Sequence, residues 1–403
     1  MQGSSMHHFA NRRQLLKALG AAGLLSQFGA LPAFAATHSR FAANPSAAWD
    51  SKQRLYVDGL CFLPDDLNDA TASNIDAYIC DISDIEAIKQ ADGTTNYKRS
   101  YKACIKSISE AKQRVEANPD KLLLGLTGKD VNLAKHTERT AVFFQIQGAD
   151  CVEQSIDTDL SQVDEFYDKG LRVLQLTHHY GNAFSGGALD NDASGGLNQP
   201  LTSAGIALID KLNSENILVD ISHSSVQTAL DTAHVSQSPI VQSHGAARAI
   251  VNHARCSPDN VIKAIADTGG LFGVFMMSFW LTNDKVPTTE HYIAQLKHVA
   301  NVGGIDAVAI ANDYPLRGQK TLLELNNNNA EGVKQYLDWW YSLRAKQVLG
   351  YDVEPEHVVI PELNHIERMN RIDMALGKAG FTSLERDKIM GKNWDRVLNE
   401  VLI

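Results

Sequence analysis

Ile217-Leu218-Val219-Asp220-Ile221-Ser222-His223, then a helix-patterned stretch, then Pro239-Ile240-Val241-Gln242-Ser243-His244: this passage sets the pattern on which the rest of the chain is read. Each run has strand length, is mostly apolar, and ends in a polar residue followed by histidine. Working outward, similar runs occupy residues 54–60, 75–82, 141–148, 171–177, 271–277 and 307–311. Between them lie segments with apolar residues at helical spacing, such as Ile105, Ile108, Ala111 and Val115, or Ile206, Ile209 and Leu212. Eight strands alternating with helices predict an α/β fold, a closed (β/α)8 TIM-type barrel. A doubly wound open sheet is the competing architecture, and the Gly-x-Gly-x-x-Gly phosphate turn that would mark it is not in the sequence.

The 403 residues are 44% hydrophobic and 21% charged, enough to bury one large core. Residues 1–35 carry Arg12, Arg13 and Lys17 and no acidic side chain, then an apolar stretch over 18–31, then Ala33-Phe34-Ala35. This predicts a cleaved export signal, and the arginine pair within Asn11-Arg12-Arg13-Gln14 predicts the twin-arginine export machinery and a periplasmic location. The expected organisation is a signal over 1–35, a tether over 36–53 and a single barrel domain over 54–403. No later stretch has the roughly 18 consecutive apolar residues of a spanning helix, so no membrane span is expected in the mature chain.

Loss of residues 1–35 removes three positive charges and moves the formal net charge from −10 to −13. Nucleic acid is excluded as a partner on that balance. Five cysteines (Cys61, Cys80, Cys104, Cys151, Cys256) show no C-x-x-C spacing, which removes a thioredoxin-type or zinc-ribbon site and favours buried free thiols. The stretch 180–200, with Ser185-Gly186-Gly187 and Ser194-Gly195-Gly196, is expected to form a substrate wall or lid, whereas Asn326 to Asn329 reads as solvated surface. Thr382-Ser383-Leu384-Glu385 has capping-box spacing and predicts a helix start that carries Ile389 inward.

Barrels of this kind place their chemistry at the carboxyl ends of the strands. His178, His223, His244 and Asp313 all fall there. One such histidine alone reads as a hydrogen-bonded rim residue. Three at strand ends, with a carboxylate, make a donor set for zinc, which would polarise a carbonyl and lower the pKa of its water to about 7.

These blocks, with Asn252-His253-Ala254-Arg255, Gly170-Leu171-Arg172, Leu201-Thr202-Ser203-Ala204-Gly205, Gly304-Ile305-Asp306 and Gly391-Lys392-Asn393, resemble the membrane (renal) dipeptidase family of zinc metallopeptidases over about residues 54–403. The resemblance implies metal ligation by His223 and His244, with Gln147 a further candidate. It implies a catalytic pair in Asp313 (proton transfer) and His178 (stabilising the tetrahedral intermediate), and substrate binding by Arg255 and His178. The positions matching the family's first-strand His-x-Asp and its bridging glutamate hold Leu60, Phe62 and Gln147. What is expected is therefore an exported metallohydrolase of small peptide-like substrates with at most one zinc ion. The alternative is a catalytically inactive dipeptidase-fold protein that binds a peptide or small carboxylate. A homodimer is compatible with either. Cys61, Asp65 and Asp66 are weighed as replacement ligands and set aside for Cys61, because strand alternation turns it away from the barrel axis when Leu60 and Phe62 point in.

Overall fold

The structure, a computed structural model, describes residues 54–89, 95–190, 196–284, 287–318, 341–342, 344–345 and 360–403. The expected signal, the tether and the Asn326–Asn329 run lie outside the described residues.

Eleven strands are described: β1 (Val57–Phe62), β2 (Ala77–Asp81), β3 (Glu86–Lys89), β4 (Thr95–Lys98), β5 (Leu122–Leu124), β6 (Thr140–Gln147), β7 (Leu171–Gln175), β8 (Leu218–Asp220), β9 (Ile240–Gly245), β10 (Leu271–Val274) and β11 (Val308–Ile310). Eight of them pair in parallel in the order β1-β2-β6-β7-β8-β9-β10-β11, with β5 as an extra partner of β6. All eight anticipated strands are present. The antiparallel hairpin β3–β4 and the short β5 were not anticipated.

A backbone hydrogen bond and the buried Asp58–Asn312 pair close the sheet between β11 and β1. The backbone N–H of Asp313 donates to the Leu60 carbonyl at 3.0 Å. Asn312 donates through its backbone N–H and its Nδ2 to the buried Asp58 carboxylate at 2.8 and 2.7 Å. The result is a nearly closed TIM-type barrel.

Period-two alternation sorts the strand residues into two clusters. Tyr78, Cys80, Val142, Phe144 and Leu174 face the surrounding helices, together with Ile108, Phe166 and Leu208. Ala77, Ile79, Ala141, Phe143, Val173, Leu218, Val241 and Leu271 form the inner cluster with Trp394, Val397 and Leu398 of the last helix, Asn393–Val401. Continuing the inner rows toward the carboxyl ends brings Asp81, Gln145, Gln147, Gln175, Asp220 and Ser243 inward, so the apolar plug gives way to a polar layer at the top.

The helices begin where the sequence supplies caps. Ser100, Thr202 and Ser225 each accept a backbone N–H three residues on, at 3.2, 3.0 and 3.0 Å. The anticipated capping box pairs Thr382 with Glu385, and Ile389 is fully buried just beyond it. Ile206 departs from its expected inward place: it is exposed, while Leu208, Ile209 and Leu212 of the same helix are buried. All five cysteines are buried free thiols. Cys61 lies in the outer cluster and donates to the Tyr314 carbonyl, and Asp65 and Asp66 are exposed.

Candidate metal centre

Four histidines converge above β7, β8 and β9. One ligand nitrogen each from His178, His179 and His223 lies within 4.8 Å of the others. His223 is the centre of the group: its Nδ1 is 3.0 Å from His179 Nδ1, and its Nε2 is 2.8 Å from His244 Nε2. The rings of His178 and His223 stack at 4.3 Å. His179 (φ 65°), His223 (φ 64°) and Asp313 (φ 55°) all hold left-handed backbone, which costs a non-glycine residue free energy and is concentrated where surrounding structure enforces a functional geometry.

The polar layer fixes the orientation of the rings. The buried Asp220 carboxylate accepts from Ser222 N and Oγ (both 2.8 Å), Ser243 N (2.9 Å), Ser243 Oγ and Gln145 Nε2. Because the Ser243 hydroxyl donates to Asp220, its oxygen accepts from His244 Nδ1–H at 2.9 Å and leaves Nε2 unprotonated, facing His223 Nε2. This carboxylate–hydroxyl–imidazole relay is the support a ligating histidine needs.

Burial holds the His178, His223 and His244 rings well below the usual imidazole range, with neighbouring cationic groups adding to it. His179 is lowered to about 3, by burial first and then by Arg255 and Arg99. All four rings are therefore neutral at physiological pH, the state in which a nitrogen lone pair can bind a cation. Two nitrogens on one tetrahedral zinc stand roughly 3.3 Å apart, so His223 and His244 need to part by only about half an ångström to admit an ion. The donor set fits a divalent metal.

Asp313 lies at the seam with its carboxyl raised to about 7, by burial first, with Asp81 and Asp58 pushing the same way and Arg255 opposing. Arg255 is buried, donates from Nη2 to the His244 carbonyl at 3.2 Å, and lies 5.3 and 5.6 Å from the ring centroids of Phe275 and Trp280. Gln147 turns its Nε2 to Asp81 Oδ2 at 3.0 Å, and Leu60 is fully buried at the β1–β11 seam. From the loop after His179, Ala188 N donates to the His223 carbonyl at 2.7 Å and Leu189 N to the His179 carbonyl at 2.8 Å, so the described part of that loop walls the centre.

Of the residues the sequence singled out, the structure brings His178, His223 and His244 together. Two participants were missed, His179 and Asp220, and so was Arg99, whose charge helps to lower His178 and His179. His179 was visible as the second half of a His-His pair, and Asp220 as an inward position of the quoted strand. Arg99, just past the unforeseen hairpin, gave no signal.

Comparison with known proteins supplies the family. Dipeptidase verJ of Clonostachys rogersoniana is 28% identical over 217 residues, a match covering 53% of this chain and 53% of that protein, so the alignment spans about half the relative's length. An uncharacterized protein in the pqqA 5' region of Klebsiella pneumoniae is 25% identical over 297 residues, 72% of this chain and 93% of that one. An amidohydrolase from Pseudomonas aeruginosa superposes with TM-score 0.69 at 20% identity, covering 87% of this chain and 98% of that one. A metallo peptidase from Rhodobacter sphaeroides, liganded with a phosphinate mimic of the dipeptide L-Ala-D-Ala, superposes with TM-score 0.67 at 16% identity, covering 86% and 99%. At such identities the two structures establish the barrel alone. Residues 84–336, well over half of the chain, match the profile of the membrane dipeptidases, and on that match the chain belongs to the membrane dipeptidase family, peptidase family M19.

Proposed function

We propose that this protein is an exported metallohydrolase of small peptides that works with a single divalent ion held by His223 and His244. The observation that carries the reading is the 2.8 Å approach of His223 Nε2 to the unprotonated His244 Nε2, beside a group in which one nitrogen each of His178, His179 and His223 lies within 4.8 Å of the others. A bound zinc ion would supply Lewis-acid polarisation of the scissile carbonyl. The chain's own groups do the rest. Arg255, braced by the His244 carbonyl and facing Phe275 and Trp280, holds the substrate carboxylate with parallel donors. A carboxyl poised near 7 suits Asp313 to take a proton from the attacking water and return it to the leaving amine. His178, stacked on His223, is placed to donate to the oxyanion that develops.

A second ion does not fit. Leu60 and Phe62 offer no donor atoms, and Gln147, whose Nε2 donates to Asp81, offers only a neutral amide oxygen, a poor bridge between two cations. The same facts favour the second reading, a dipeptidase-fold protein that binds a small carboxylate without turning it over.

Elemental analysis of the purified protein separates these readings. One equivalent of zinc is expected, two would overturn the single-ion site, and none would leave the binding protein. His223→Ala and His244→Ala should each abolish the metal. Arg255→Ala should keep it and weaken carboxylate ligands by roughly 2–5 kcal/mol, much of that from a carboxylate left buried without a partner. Unchanged metal content in both histidine variants would sink the ligand assignment.

A further inference from the structure

Arg99 has no role in the chemistry above, yet it reaches into the same mouth. It sits between β4 and Ser100, whose hydroxyl caps the helix Tyr101–Glu116 and donates to Glu86, so its backbone is pinned on both sides. Its stem crosses Gly148: Arg99 Cδ lies 3.3 Å from the point a Cβ there would occupy, and His178 Cβ lies 3.9 Å from that point. Its Nε is buried without a hydrogen-bond partner. Among the described residues, no carboxylate forms an ion pair with it. Two carboxylates lie near it: Asp81 is already satisfied by Ser83 N (2.9 Å), Ser83 Oγ (2.5 Å) and Gln147 Nε2 (3.0 Å), and Asp150, whose Oδ2 is 2.8 Å from the same point over Gly148, accepts from Asn182 Nδ2 at 3.4 Å.

The guanidinium charge is nevertheless felt in the centre, where it helps to depress His178 and His179 and opposes the rise of Asp81. Leaving a cation partly enclosed and unpaired costs free energy, which an incoming anion recovers. The topology gives that anion a position. Arg99 stands over the ends of β2, β6 and β7, and Arg255 over those of β9 and β10, with the histidines between them. If the substrate's terminal carboxylate lies on Arg255 and its scissile carbonyl at the histidines, the amino-terminal residue falls on the Arg99 side.

We propose that Arg99 is a second anion anchor, and that the site selects small peptides whose amino-terminal residue carries a carboxylate side chain. The assignment rests on the peptide-site reading above, and the two fail in different ways. The probes are L-Glu-L-Ala and its neutral isostere L-Gln-L-Ala, titrated calorimetrically into the purified full chain. A charge-assisted pair should make the acidic dipeptide bind on the order of tenfold to a hundredfold more tightly. That ratio should collapse toward one in Arg99→Met and survive in part in Arg99→Lys. Equal affinities in the unmodified protein would overturn the anchor without recourse to any variant, while the peptide site itself would stand. A preference that persists in Arg99→Met would place the anion on another group and overturn it too. Binding of neither dipeptide would remove the peptide site and the anchor together.

Discussion

Asp313 shows how much a single enclosed group can control. Its carboxyl titrates near 7 in the folded chain because burial penalises the anion. In the unfolded chain it would titrate near its model value of 3.8. Between those values the native state holds a proton that the unfolded state has released, so this group's contribution to stability falls as pH rises from about 4 to about 7. Asp313→Asn removes the titration. Denaturation of the metal-free protein should therefore show the variant gaining on the parent across that window, by up to roughly 4 kcal/mol; parallel curves would mean that the carboxyl is not held protonated. The position of Asp313 was legible in the sequence as the polar residue after a terminal strand, but its perturbation was not. The perturbation comes first from burial and only then from Arg255, Asp81 and Asp58, and both the enclosure and those neighbours, remote in sequence, are brought about by barrel closure. His179 was passed over for a related reason: adjacent side chains on a strand diverge, and only the left-handed turn at φ 65° swings this one back toward His223.

At the scale of elements, β8 and β9 act as one device. Asp220 on β8 gathers donors from both strands, and Ser243 passes the resulting orientation to His244. Ser243→Ala keeps the strand and its apolar packing but lets the imidazole choose its tautomer and rotate. Zinc affinity measured by competition with a chelator should fall about 10- to 100-fold, with little change in the unfolding midpoint. An unchanged affinity would show that backbone geometry alone orients the ring. The eight barrel strands were legible because each is an apolar run of strand length bounded by helix-patterned sequence. β5 has only three residues, too few for a period to register. The hairpin β3–β4 lies along Glu86–Lys89 and Thr95–Lys98, where polar and charged residues conceal any alternation, so Arg99 beyond it went unread.

In the whole molecule, the apolar plug of the barrel and the polar metal centre above it can be tested separately. The proposed export is tested at the arginine pair: exchanging Arg12 and Arg13 together for lysine should retain the protein in the cytoplasm, as cell fractionation would show, and arrival in the periplasm would refute the twin-arginine route. Stability belongs to the apolar plug beneath the polar layer. There Trp394 is fully buried in the inner cluster, and its Nε1 donates to the Ile310 carbonyl at 3.0 Å. A Cβ placed on Gly59 would come within 2.3 Å of the indole, so glycine at that point of β1 is what admits the ring. Trp394 thus fastens the last helix to both the first strand and the last, the two that must join to close the barrel. Trp394→Ala leaves a cavity at that junction and strands the Ile310 carbonyl, and should lower the unfolding free energy by about 3–5 kcal/mol. The folded fraction should still bind zinc at the parental stoichiometry, because no ligand or relay residue lies in the inner cluster. His223→Ala should do the reverse, losing the metal while the metal-free protein keeps its unfolding midpoint. Loss of zinc in Trp394→Ala under conditions where circular dichroism reports a native fold would show that the seam at β1 and β11 sets the geometry of the metal centre, and that the plug and the metal centre are not separable.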